Sequence, residues 1–204
     1  MVHARRIPAG GRVTRESPDG VAHRRDEDLR QAKPGVAPRP TDARWLRVGI
    51  GEFAVSDKPE DMITTVALGS CVAVCLSDPA AGVAGMLHFL LPDAKINSER
   101  ARLEPAVFAD SGIPLLFHAA YSLGAQKKKC KVRLVGGADV AGHGPEGILN
   151  VGRRNVLAAR RVLWRNGILI EGEEVGGSVP RTVTVAVANG QVTVKVDGRV
   201  ITDF

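Results

Sequence analysis

Two β-prone runs flank a single turn between residues 71 and 91, and this unit constrains the chain more than any other. Cys71-Val72-Ala73-Val74-Cys75-Leu76-Ser77-Asp78 comes first, Pro79-Ala80-Ala81-Gly82 follows, and Val83 to Leu91 returns before Pro92-Asp93 closes the unit. Proline presets a turn and glycine supplies its left-handed conformer, so the pattern predicts an antiparallel hairpin. A loop of residues 79–82 pairs Asp78 with Val83 and Ala73 with His88. Cys71 is then the diagonal neighbour of His88 on the same face, about 7–8 Å away at Cα. A slip of one residue would put the two on opposite faces.

The rest of the chain supplies further strands and two helices. Arg47 to Val55 reads as a short strand with glycine interruptions, and Met62 to Leu68 as a strand broken by Gly69-Ser70. Ile113–Leu123 has helical spacing of apolar residues, with Pro114 acceptable in a first turn. Lys131–Val135 reads as a strand ended by Gly136-Gly137. Asn150 precedes or caps a helix over about 153–165 that stops at Asn166-Gly167. Its apolar face is Val156, Ala159, Val162 and Leu163; its wet face carries Arg153, Arg154, Arg160 and Arg161. Ile168–Glu171, Arg181–Ala188 and Gln191–Val196 read as strands, the last two joined across Asn189-Gly190. Strands outnumber helices, so the expected class is α+β: mixed sheets packed in layers, with two or three helices outside.

Residues 1–46 differ from this body and are expected to be a disordered basic extension, with residues 47–204 forming one domain. The first 47 residues hold five of the 12 prolines, and their 11 Lys+Arg outweigh 6 Asp+Glu. They show no sustained period of 2 or 3.6, too little to offset ordering entropy. The net charge of +6 therefore belongs mostly to this segment, and the near-neutral body argues against a nucleic-acid surface. No apolar run approaches the roughly 18–20 residues that span a bilayer, and no apolar stretch follows the first basic residues, so no secretory signal is expected. Three cysteines argue against a disulfide framework and point to a reducing cytoplasm.

The chemistry-bearing pair is Cys71 with His88. Gly69 lets the chain turn sharply before Cys71, and backbone N–H groups around Gly69 and Ser70 could face a carbonyl oxygen. An adjacent imidazolium would lower the thiol pKa and yield a thiolate nucleophile. The imidazole needs a third group to fix its tautomer, which the preceding strand could supply through Thr64 or Thr65. Cys75 reads as a small core residue and Cys130 as core or exposed. Cys71 and Cys75 lie two pleats apart on a strand, too far for one metal ion, so no metal and no cofactor is expected. The glycine-rich run 136–147 lacks a phosphate-loop pattern and reads as turns and backbone packing.

Three stretches resemble the chemoreceptor glutamine deamidase family, CheD: Val48-Gly49-Ile50-Gly51-Glu52-Phe53-Ala54-Val55; Thr65-Val66-Ala67-Leu68-Gly69-Ser70-Cys71-Val72-Ala73-Val74-Cys75-Leu76-Ser77-Asp78-Pro79; and Gly85-Met86-Leu87-His88-Phe89-Leu90-Leu91-Pro92. Val135-Gly136-Gly137-Ala138, Asn150-Val151-Gly152-Arg153-Arg154-Asn155, Gly176-Gly177 and Arg181 follow in the family's order, and His143 falls between the double glycine and the asparagine motif. The resemblance covers residues 47 to 196. It implies a cysteine hydrolase with Cys71 as nucleophile, His88 as general base and acid, and Thr65, six positions before the cysteine, as the orienting residue. It implies a sandwich like that of the cytotoxic necrotizing factor toxins. The implied substrate is a glutamine side-chain amide on the cytoplasmic helices of a chemoreceptor, with methyl-ester hydrolysis as a side activity and a CheC-like phosphatase as a partner. The alternative it leaves is a regulatory module that docks on receptors or on such a phosphatase with little chemistry of its own.

Overall fold

The computed structural model describes residues 5–7, 43–142 and 150–204. Its strands are β1 (Arg5–Ile7), β2 (Arg44–Arg47), β3 (Glu52–Ser56), β4 (Asp61–Leu68), β5 (Val72–Asp78), β6 (Val83–Phe89), β7 (Lys131–Gly136), β8 (Gly172–Val175), β9 (Arg181–Ala186), β10 (Val192–Val196) and β11 (Arg199–Asp203). The helices are α1 (Ser98–Leu103), α2 (Ala109–Ser122) and α3 (Val151–Arg165). One sheet runs β1-β3-β6-β5-β7-β8 and the other β11-β10-β9-β4-β2. The two sheets stack with helices on one outer face, which is the α+β sandwich expected.

Residue alternation explains the stacking. Val72, Val74 and Leu76 of β5, with Val83, Leu87 and Phe89 of β6, join a core with Ile113, Leu116 and Phe117 of α2 and Val156, Ala159 and Leu163 of α3. Their in-between neighbours Ala73, Cys75, Ala84 and Met86 point the other way, against Ile63, Leu68, Val183, Val185, Val192 and Val194 of the second sheet. Strands buried on both faces read as continuous apolar runs, and every residue of β5 and β6 is buried. The far face of the second sheet carries half-buried Thr64, Thr182, Thr184 and Thr193, so that layer closes the sandwich toward water.

The hairpin has the register its turn predicts, with Asp78 opposite Val83 and Ala73 opposite His88. β9 and β10 pair across Asn189-Gly190, Val185 opposite Val192. Asn150 caps α3 by accepting from the Arg153 amide at 2.8 Å, and Gly167 ends it with φ +63°.

Other elements depart from their expected places. The strand expected over 47–55 is two strands in different sheets, because Gly51 takes φ +72° and turns the chain between β2 and β3. β8 lies at 172–175 rather than 168–171, where Ile168 and Ile170 instead pack against the helix-side core. α2 begins four residues earlier than its apolar period, since Ala109 and Gly112 are themselves buried, and this leaves Pro114 in the second turn. α1 and β11 had no sequence signal strong enough to mark them. Within the segment expected to be an extension, Arg5–Ile7 pairs antiparallel with β3, and β2 pairs parallel with β4 across the 46/47 boundary. Arg44 holds the fully buried Asp61 with two bonds of 2.6 Å, and Ser56 donates to the same carboxylate at 2.5 Å.

Candidate active site

Thr65 and His88 meet between the sheets, and Cys71 lies in the core layer between the same two sheets. His88 and Cys71 belong to the first sheet's inward side: His88 shares the face of Ala84 and Met86, and Cys71 that of Ala73 and Cys75. Thr65 comes from β4 in the second sheet. Cys71 itself lies one residue before β5, at the end of the β4–β5 connection, and is 7% exposed. His88 is 3% exposed and Thr65 1%. The Cys71 side is thus slightly more open to water than His88 and Thr65, which are almost sealed from it.

A hydrogen-bond chain sets the histidine tautomer. The Thr65 hydroxyl donates its one proton to the Val48 carbonyl at 2.8 Å. The same oxygen lies 2.8 Å from His88 Nδ1. With its proton committed, that oxygen can only accept, so Nδ1 carries a proton and Nε2 a lone pair. His88 Nε2 is buried and has no partner among the described residues. Val48 owes its position to β2, since its amide continues the parallel pairing by donating to Thr64 O at 2.8 Å. Thr64, the other candidate, faces away and bonds Val183 O and Thr184.

Burial dominates the protonation states. It pushes the His88 imidazole down to about 4, against the opposing pull of the Val48 carbonyl and the Glu52 carboxylate. Burial also pushes the Cys71 thiol above its ordinary value, opposed by its own backbone N–H. Both shifts favour neutral partners, so the resting pair is thiol and imidazole. The thiolate–imidazolium pair expected from proximity alone loses to desolvation. Cys75 is fully enclosed and pushed up to about 12, and Cys130 to about 11, which leaves both as poor nucleophiles.

The Gly69-Ser70 segment is held by its carbonyls. Ala138 N donates to Gly69 O at 2.9 Å, and Asn155 Nδ2 to Ser70 O at 2.9 Å. A trans peptide points its N–H opposite to its C=O, so the amides of Ser70 and Cys71 turn away from those anchors. The chain also bulges just upstream: register slips between Thr65 and Leu68, Ala67 takes φ +55°, and Val66 and Ala67 are exposed. Bulges re-aim side chains at strand ends. Here the bulge brings the strand out of the sheet directly between Thr65 and Cys71.

The double glycine packs against the thiol's own backbone. Gly137 N donates to Cys71 O at 2.7 Å. A Cβ on Gly136 would stand 2.4 Å from Cys71 O, and one on Gly137 2.4 Å from Val156 of α3. Backbone packing is therefore what these two glycines do. His143 lies outside the described residues.

Two polar residues beside the site carried no individual signal in the sequence. Glu52 stands opposite His88 across the β3–β6 pair and accepts from Gly49 N at 2.9 Å. Asn155, wholly buried on α3, donates to both Ser70 O and Leu90 O. A polar residue on the apolar stripe of α3, one place before Val156, was the trace that could have flagged Asn155.

The family model described as CheD chemotactic sensory transduction matches residues 90–196. The chain is also similar to a protein of Syntrophus aciditrophicus named probable chemoreceptor glutamine deamidase CheD 1, at 44% identity over 74% of this chain and 93% of that protein. A protein of Syntrophotalea carbinolica named probable chemoreceptor glutamine deamidase CheD is 43% identical over 76% of this chain and 95% of its own length. One of the same name from Pyrococcus abyssi is 38% identical over 78% and 96%.

Proposed function

The chain belongs to the CheD family, and from that premise we propose that it converts glutamine side chains of a chemoreceptor to glutamate, with Cys71 as nucleophile, His88 as base and acid, and Thr65 as the residue that orients His88. The observation that carries this reading is the Val48–Thr65–His88 chain, which fixes Nδ1–H and keeps the Nε2 lone pair ready for a proton. A merely structural histidine at 3% exposure would be expected to bond through both ring nitrogens.

The reaction follows from the neutral resting pair. As Sγ forms its bond to the amide carbon, the thiol proton moves to His88 Nε2 and the carbonyl oxygen becomes an oxyanion. The amides of Ser70 and Cys71, turned away from their carbonyl anchors, face that developing charge. His88 then delivers its proton to the departing nitrogen, which leaves as ammonia, and a thioester remains. A water molecule gives a proton to Nε2 as it attacks the thioester carbon, and collapse returns the thiol and leaves glutamate. Thr65 accepts the Nδ1–H bond throughout, and that bond strengthens when the ring is cationic. A methyl ester presents the same carbonyl to the same thiol, so ester hydrolysis at such positions follows from the same machinery.

The membrane-facing part of the receptor need not be approached. Among the described residues no helix is long and apolar enough to cross a membrane, and the glutamines acted on would lie on the receptor's cytoplasmic helices. Intact-mass measurement of a receptor cytoplasmic fragment tests the proposal. A gain of about one dalton per converted glutamine is expected with the protein and not with Cys71→Ala. Binding without a mass change would replace the enzyme with a docking module.

A further inference from the structure

The nucleophile and the base sit on the two arms of one hairpin, at its open end, and that end has a structural problem. β5 and β6 pair as far as Val72 opposite Phe89. Beyond that rung the chain presents the carbonyls of Ser70 and Leu90, one residue from Cys71 and two from His88. Two carbonyls cannot bond to each other. Asn155 fills the gap from α3: its Nδ2 donates one hydrogen to Ser70 O at 2.9 Å and the other to Leu90 O at 2.8 Å. Both partners are acceptors, so the amide orientation is fixed, with nitrogen toward the hairpin and Oδ1 away from it. Asn155 is 0% exposed.

We propose that Asn155 is a positioning residue that sets the separation of Cys71 from His88 by clamping the two strand ends with one planar amide. The inference rests on the reading of Cys71 and His88 as the reacting pair. Its chemistry is specific. Aspartate would set two acceptors against two acceptors. Leucine has the volume and no donor. Glutamine carries the same amide one methylene further, out of register with the two carbonyls. A buried carbonyl that loses its donor moves to find another, and a misplacement of about 1 Å between reacting groups costs about 10²-fold in rate. α3 is itself held to the Cys71 segment by Gly137 and Gly152, whose backbones leave no room for a Cβ, so the clamp is mounted on a rigid base.

The test is the rate of iodoacetamide alkylation at Cys71, read by peptide mass so that Cys75 and Cys130 are counted separately, in wild type, Asn155→Leu, His88→Ala and the double variant. Alkylation needs no receptor. Asn155→Leu is expected to slow it about 10- to 100-fold, with a matching fall in kcat on a receptor fragment and little change in KM. In the His88→Ala background the same change should add almost nothing, because the geometry it sets no longer matters. A general loosening of the fold would instead expose the buried thiol and change the rate in both backgrounds by the same factor, and that result would overturn the proposal, as would unchanged or faster alkylation in Asn155→Leu. If Asn155→Leu does not fold, Asn155→Ser takes its place: one hydroxyl can hold only one of the two carbonyls, so a smaller loss with the same non-additivity is expected. Equal alkylation in wild type and His88→Ala would sink the reading of the pair itself, a result distinct from a failure of Asn155 alone.

Discussion

Titrating Cys71 against the Cys71→Ala variant asks which protonation state the site rests in. Burial holds the thiol above its ordinary value and the imidazole at about 4. Lowering the imidazole from 6.5 to about 4 by itself makes proton transfer from sulfur about 3 kcal/mol harder, and the raised thiol acts in the same direction. The neutral pair therefore predominates at rest. The difference in ultraviolet thiolate absorbance between the two proteins should therefore show no step between about pH 5 and 8 and should rise only in alkaline solution. Alkylation of Cys71 should climb steadily with pH over the same interval rather than plateau. A thiolate plateau across that range, abolished by His88→Ala, would refute the reasoning, because it would mean that proximity outweighs desolvation at this depth.

Four further outcomes are expected. Thr65→Val keeps the volume but removes the partner of Nδ1–H and of Val48 O, so kcat should fall about 10²- to 10⁴-fold, less than in Cys71→Ala, with a stability loss of about 2–4 kcal/mol by urea melting. The folded His88 titrates below the unfolded value of 6.5, so the unfolded chain binds the extra proton between about 4 and 6.5; stability from this group is complete above that window and falls by about 3 kcal/mol toward its lower end, measured as the difference between wild type and His88→Gln melts. Gly136→Ala must move a Cβ that would stand 2.4 Å from Cys71 O at φ +112°, and should lose most activity along with more than about 1–3 kcal/mol of stability. Arg44→Ala leaves buried Asp61 without its cation and should cost about 2–4 kcal/mol, the half-exposed arginine reducing the usual penalty; equal melting of a protein lacking residues 1–42 and one lacking 1–47 would show that β2 and this pair carry nothing.

Those residues also show where sequence reasoning reached and where it stopped. The hairpin register was legible because turn length and a period of two settle it locally, and with it the placing of Cys71 and His88 on one face. The same holds for α3, whose cap Asn150 and stop Gly167 lie within its own neighbourhood. Arg47 to Val55 looked like one strand because nothing local tells a glycine that loosens a strand from one that turns the chain into another sheet. The boundary of the N-terminal segment was blurred for a related reason: Arg44 has its worth only through Asp61, 17 residues on. Asn155 was invisible as an individual, since its partners Ser70 and Leu90 lie 85 and 65 residues away.

The sequence by itself determined the central hairpin and α3, and put a thiol and an imidazole on the two arms of that hairpin, with a β-prone strand carrying threonines just before them. Tertiary structure decided what those atoms are at rest. Stacking the second sheet on the first brought Thr65 onto His88 Nδ1 and chose the tautomer. The same stacking removed the water that would have stabilised charge, and so made the pair neutral. Hydrogen-bond capacity is a property of a residue and can be read from its name, whereas desolvation and the choice of partner depend on what the whole chain places around it.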